Sequence, residues 1–355
     1  MSTKKLGGRG AGRPVTAGRA SFLLVVAAAL ALGGVSAGAT QRHERTATVT
    51  LGLSMPFLSA DFEVVMQKRF QAAAPAAGFK LLPPTNANMD SGKQIADIKN
   101  LISAGAKALV VIANDSHAII PALDYAASKH IPVVSVDIGP DGGKVAAIVR
   151  ADNVGMGAIA CKAVARAIGG TGKVLSLEGA FTSINGRDRT NGFHQCIKKN
   201  YPNVDLIERP TDWDPTKQVA DIQTVLTANP DLKAIYMQSD WALSASLNAI
   251  KTQGHGAKAG QKGHIYTISI DATPLSLQQI KAGVMDAEIS QPLDLYVKYG
   301  LQYLNQALAG KAVKAGPTSH GTHVVMFNGN PMDLVPATLV TRANLDAPNL
   351  WANEK

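Results

Sequence analysis

Asp137, Arg187, Trp213, Ser239, Asp240 and Asp271 are the residues whose types could handle a small polar molecule. Each lies just beyond, or opens the helix after, a short apolar run that reads as a strand, and parallel α/β sheets put ligands at such strand exits. Ionised carboxylates accept hydrogen bonds from adjacent hydroxyls, a guanidinium donates several to oxygen, and an aromatic ring covers a C–H face. The set suits recognition of a polyhydroxylated ligand. Each residue also has an ordinary alternative. Aspartates cap helices and turn chains, and Arg187 has Asp188 or Asp214 for a solvated ion pair worth roughly 0–1 kcal/mol. Trp213 stands between Asp212 and Asp214, a poor setting for a core residue.

Bond-making chemistry finds less support. Gly34-Val35-Ser36-Ala37-Gly38 matches the nucleophile-elbow spacing but sits in an apolar leader with no strand-turn-helix around it. Gly169-Gly170-Thr171-Gly172-Lys173 resembles the end of a phosphate loop, yet Val174 replaces the hydroxyl residue and a strand follows. His320 and His323 lack a third metal ligand. Asp212 and Asp214 are the one pair that could serve glycoside hydrolysis, with no way to single out the acid from the base. No metal and no cofactor are expected.

The elements that must position these residues alternate. Strands are expected at 48–53, 79–82, 108–112 and 132–136, separated by amphipathic helices at 61–77, 91–104 and 116–129. A second alternation follows, with helices at 154–168, 186–199, 215–228 and 242–251 and strands at 173–177, 204–208, 234–237 and 266–270. A strand at 284–290 and a helix at 293–308 close it. The strands are continuous apolar runs, as a sheet covered by helices on both faces requires. Between the halves, Ile148-Val149-Arg150-Ala151-Asp152-Asn153 reads as a crossing in which Asp152 or Asn153 caps the next helix. The segment after Gly310 reads as irregular until Ala337-Thr338-Leu339-Val340-Thr341.

The chain has 355 residues, 46% hydrophobic and 17% charged, which is ample for two cores. The net charge of +9 is uneven: Lys4, Lys5, Arg9, Arg13 and Arg19 lie in residues 1–40, which hold no acid, leaving +4 for 41–355. That is a weak field for nucleic acid, and none is expected as a partner. Those cations precede the apolar run Phe22–Leu32 and then small residues, so 1–40 is expected to be a cleaved signal peptide and the mature protein periplasmic. No cysteine follows the apolar run for a lipid anchor. The two cysteines, Cys161 and Cys196, either pair in that oxidising compartment or remain buried thiols.

The order Ile131-Pro132-Val133-Val134-Ser135-Val136-Asp137, Asp152-Asn153, Gly186-Arg187-Asp188-Arg189-Thr190-Asn191-Gly192-Phe193, Asp212-Trp213-Asp214, Gln238-Ser239-Asp240, Ile270-Asp271-Ala272-Thr273-Pro274 and Ile289-Ser290-Gln291 resembles the periplasmic ribose-type sugar-binding proteins of ABC importers. The resemblance spans nearly all of the mature chain. It implies an α/β fold of the type I periplasmic binding protein kind, with two doubly wound parallel-sheet lobes and one sugar between them. It places the three hinge crossings near Ala151, Gln291 and Asn328 to Val335. The N-terminal lobe would comprise 46–150 plus 292–327, and the C-terminal lobe 151–291 plus 328–355.

By matching motif positions, Asp137, Arg187, Asp271 and Gln291 would carry the polar contacts, Phe62 and Trp213 would close over the sugar from opposite lobes, and Asn114, Ser239 and Asp240 would complete the site. The implied partners are a monosaccharide or polyol and an inner-membrane permease, with the receptor a monomer. A sensor for a signalling system would read the same, and a transcriptional regulator would need a helix-turn-helix where this chain has a leader. Two departures put ribose itself in doubt: Ile138 stands where the family's pentose binders carry arginine, and Ser239 where they carry asparagine.

Overall fold

The computed structural model describes residues 48–353, which belong to one compact unit. The expected signal peptide at 1–40 lies outside the described residues. In chain order the strands are β1 Val49–Met55, β2 Phe79–Leu81, β3 Thr85–Asn86, β4 Ala108–Val111, β5 Val133–Val136, β6 Ala147–Ala151, β7 Gly172–Glu178, β8 Val204–Pro210, β9 Ala234–Met237, β10 Tyr266–Asp271, β11 Ala287–Ser290, β12 Gly316–Pro317, β13 His323–Phe327, β14 Asn330–Val335 and β15 Thr338–Thr341. The helices are α1 Asp61–Ala73, α2 Ser91–Ser103, α3 Ile120–Ser128, α4 Asn153–Ala167, α5 Ile184–Asn200, α6 Pro215–Ala228, α7 Leu243–Ile250, α8 Pro274–Ala282 and α9 Leu293–Leu308.

Two sheets result, each the core of an α/β lobe. The first runs β12-β13-β14-β6-β5-β4-β1-β2, with β3 also on β1; the second runs β15-β11-β10-β9-β7-β8. From β14 to β2 the first sheet is parallel, and so is the second from β11 to β8. Strands β4, β5 and β9 are buried along their whole length, which explains their largely apolar sequences. In both sheets the strand order reverses beside the central strands, and the exits there open toward one cleft.

The chain crosses between sheets at Asp152, at Gln291–Pro292 and at Pro336–Ala337. The third crossing corrects the expected lobe boundary at 328. Asn330–Val335 pairs in parallel with β6, so 328–335 belong with the first sheet, and β15 alone joins the second. The segment expected to be irregular forms a hairpin, β13–β14, turned by Asn328 and Gly329, both at positive φ. Helix α8 was also not expected. Thr273 caps its start, and Gly283, left-handed at φ 72°, ends it.

Helix α4 begins as its sequence indicates: the Asp152 side chain accepts from the Gly155 N–H. It packs closely on α5. A Cβ at Gly157 would lie 2.3 Å from the Arg189 carbonyl oxygen, and one at Gly192 would lie 2.1 Å from that of Val154. Cys161 and Cys196 form a disulfide between the same two helices, resolving the two possibilities the sequence leaves open. The pair of helices is thereby fixed as a base for the side chains that α5 sends into the cleft.

Candidate functional site

A cavity of about 210 Å³ lies between the strand exits of the two sheets. Asn114, Asp137, Trp213, Ser239, Asp271 and Gln291 all line it, so six of the nine residues expected at the site converge. A larger hollow of about 1160 Å³ lies between α1 and α9, but no strand-exit residue reaches it.

On the second sheet's side, Asp271 ends β10 with φ at 119°. Its carboxylate accepts from Ser239 Oγ at 2.7 Å and from Gln291 Nε2 at 2.6 Å. Gln291 is fixed in turn by the Tyr296 hydroxyl at 2.9 Å, and that hydroxyl accepts from the Ala151 N–H at 3.0 Å. One buried phenol therefore joins two of the three crossings. Trp213 also has positive φ, and its ring lies so close over Gly179 that a Cβ there would sit 2.0 Å from the indole. Backbone strain of this kind persists only where surrounding contacts hold it, and here it gathers around the cavity.

On the first sheet's side, Asp137 follows β5 with φ at 57° and accepts from Asn185 Nδ2 of α5 at 2.9 Å. Asn185 is itself positioned by Arg150 Nη2 at 2.8 Å. Asn114 spends its amide on the Met89 carbonyl and on Ser91 Oγ, so it shapes the wall around the pocket. Phe57, just past β1, stacks on Trp241 with centroids 4.9 Å apart and planes 9° from parallel. The Trp241 indole N–H also donates to the Ser59 carbonyl at 3.1 Å, which brings the two sides of the cleft together.

Three expected residues are not brought to the cavity wall. Arg187 pairs with Asp141 across the cleft and donates to the Phe181 carbonyl at 2.7 Å. The guanidinium that does enter is Arg189, 2% exposed. Its Nε donates to Asn153 Oδ1 at 2.8 Å, Nη1 donates to the Gln238 carbonyl, and the Trp213 ring lies 5.7 Å from its central carbon. Phe62 packs edge-on against Tyr296 and Trp351 beneath the pocket, and Phe57 supplies the first side's ring instead. Asp240 is buried and turned away, accepting from both the N–H and the hydroxyl of Thr273. Glu63 in α1, Asn185 and Trp241 line the cavity without having been singled out. Phe57 was legible in principle as the residue after Pro56 at a strand exit.

The electrostatics follow from burial. Asp137 is pushed up to about 6, mainly by loss of water, while Arg189 pulls the other way. Asp271 is raised by burial too, with Arg189, Ser239 and Gln291 opposing. Glu63 stands well above the ordinary carboxylate range because it is buried and faces Asp137 and Asp271. Hydroxyl donors from a ligand would restore part of the lost solvation, so the site has most to gain from a guest that donates several hydrogen bonds.

Two α/β lobes with ligand-competent strand exits facing one cavity define a solute-binding fold. The sequence profile described as a periplasmic binding protein domain matches residues 51–312, and the chain belongs to that family. It is 31% identical over 266 residues to the ribose import binding protein of Haemophilus influenzae, covering 75% of this chain and 88% of that protein. A xylitol-binding protein of Mycolicibacterium smegmatis is 24% identical over 296 residues, covering 83% of this chain and 82% of that one. Among solved structures, an ABC transporter solute-binding protein from Mycobacterium smegmatis with bound glycerol superposes with a TM-score of 0.73 at 25% identity, covering 84% of this chain and 96% of that one. The Caulobacter myo-inositol binding protein shares the fold, with a TM-score of 0.72 at 24% identity over 84% of this chain and 95% of that one. No helix among the described residues is long and apolar enough to cross a membrane.

Proposed function

We propose that this chain is the substrate-binding component of an ABC sugar importer, taking one monosaccharide or polyol between its lobes and handing it to an inner-membrane permease. The observation that carries the reading is the convergence of Asp137, Asp271, Gln291, Arg189 and the Trp213 ring on one small cavity, with walls from both sheets. Carboxylates and guanidinium take the hydroxyl rim, while Trp213, Phe57 and Trp241 offer apolar faces. A ligand touching both sides favours the closed arrangement over an open one, and the permease distinguishes the two. Asp212 and Asp214, the one candidate pair for hydrolysis, are otherwise engaged. Asp212 pairs with Lys217 at 2.6 Å and Asp214 caps α6, so we assign no catalytic step.

The signal peptide at 1–40, a periplasmic site of action and a monomeric state complete the proposal. The cross-helix disulfide fits an oxidising compartment. The test is a thermal-shift screen over pentoses, hexoses and polyols, followed by calorimetry on the hits. A binder of the native state alone raises the melting temperature by mass action. One site per chain is expected, and no binding across the panel overturns the reading.

A further inference from the structure

The cavity holds three buried carboxyls, Glu63, Asp137 and Asp271, against one guanidinium, Arg189. The other charged groups nearby are already committed. Asp212 is tied to Lys217, and Arg150, behind Asp137, spends its fork on Asp188 and Asn185. Two of Arg189's nitrogens are likewise held, by Asn153 and the Gln238 carbonyl. Asp137 and Asp271 receive amide and hydroxyl donors from the protein. Glu63 differs: it is 6% exposed and lines the cavity, and no side chain among the described residues donates to its carboxyl. An unpaired buried carboxyl costs free energy that a donor from outside can recover. Ile138 lines the same wall where the ribose-type proteins, by the resemblance above, carry a second cation.

We propose that the guest is an amino sugar, a monosaccharide in which one hydroxyl is replaced by a protonated amino group, and that Glu63 receives that group. This deepens the proposed function and rests on it. Glu63 is the specificity-determining residue: its carboxyl provides the counter-charge, while Asp137, Asp271 and Arg189 bind the remaining hydroxyls. Burial and the facing carboxylates Asp137 and Asp271 favour the protonated form of Glu63 in the free protein. An arriving ammonium favours the ionised form, so binding transfers a proton from Glu63 to the buffer.

The experiment is calorimetry on the purified full chain with hexoses carrying an amine at C2, C3 or C6, beside the parent hexoses and the N-acetyl derivatives. Titrations in two buffers of different ionisation enthalpy read the proton. We expect one amino sugar to bind at least about tenfold more tightly than its parent and its N-acetyl form, a difference of about 1.4 kcal/mol, with net proton release. In Glu63→Gln, whose melting curve checks folding, the ratio of amine to parent affinity falls toward one. A parent sugar that binds as well as its amine, binding without proton release, or an unchanged ratio in Glu63→Gln overturns the inference. If pentoses or polyols bind and no amino sugar does, the inference falls while the sugar-receptor reading stands. If nothing binds, both fall.

Discussion

Asp137 and Asp271 stand at matching places in the two lobes, each at the exit of a central strand with positive φ, yet they are held differently. Asp271 takes its donors, Ser239 and Gln291, from strand exits of its own sheet. Asp137 takes its donor, Asn185, from a helix of the opposite lobe. One carboxylate is preset, and the other is completed only when the lobes meet. The second lobe therefore works as a template, while the first contributes a group whose setting depends on closure. Arg189 acts on both carboxylates and links the two arrangements.

The strongest way to break the comparison is to remove that link. Arg189→Met deletes charge-assisted bonds worth roughly 1.5–3 kcal/mol each, so affinity should fall by at least about 100-fold in calorimetry. Retention of near-native affinity would mean that the guanidinium is only structural. Next come the carboxylates themselves. Asp271→Asn and Asp137→Asn should each weaken binding by about 10- to 100-fold. They should part in a second readout: adding Asn185→Ala should matter little in the Asp137→Asn background and add its full cost to Asp271→Asn. Equal additivity in both backgrounds would erase the distinction between preset and completed groups.

The pH dependence sharpens the contrast with a smaller effect. Asp137, raised to about 6, binds its proton more tightly in the folded protein than in the unfolded chain. Its ionisation therefore costs stability, and the free protein should gain melting temperature as pH falls from about 7.5 to about 5. Glu63 acts in the same direction. Ligand hydroxyls need the ionised Asp137, so affinity should drop several-fold over the same interval. A melting temperature and an affinity that move together would contradict this account. Smallest is Arg187→Ala. Its pair with Asp141 is partly exposed, 33% at Arg187 and 23% at Asp141, and worth roughly 0–1 kcal/mol, so binding should change by a few-fold at most.

The alternation of strands and helices was plain in the sequence because continuous apolar runs separated by amphipathic stretches have few other solutions. The carboxylates were legible for the same reason: strand ends mark where a parallel sheet meets ligand. The guanidinium was not. Arg187 and Arg189 are two residues apart, roughly 200° around a helix, so choosing between them needs the helix register. That register is set by Ser183 capping α5 and by the contact of Gly157 with the Arg189 backbone, which no local pattern reveals. Phe62 and Phe57 present the same difficulty, since either could face the cleft until α1 docks on Tyr296 and Trp351. The β13–β14 hairpin, by contrast, carried its own signal in Asn328-Gly329, flanked by two short strands.

Tyr296 gives the architecture a mechanical consequence. With its oxygen bonded to Ala151 on one strap and Gln291 on the next, those two straps cannot bend independently without stranding a polar atom in the interior. They form a common axle, leaving Pro336–Ala337 as the strap free to follow. Opening of the lobes is then expected to be a swing about one line, with Ala151 and Gln291 moving together.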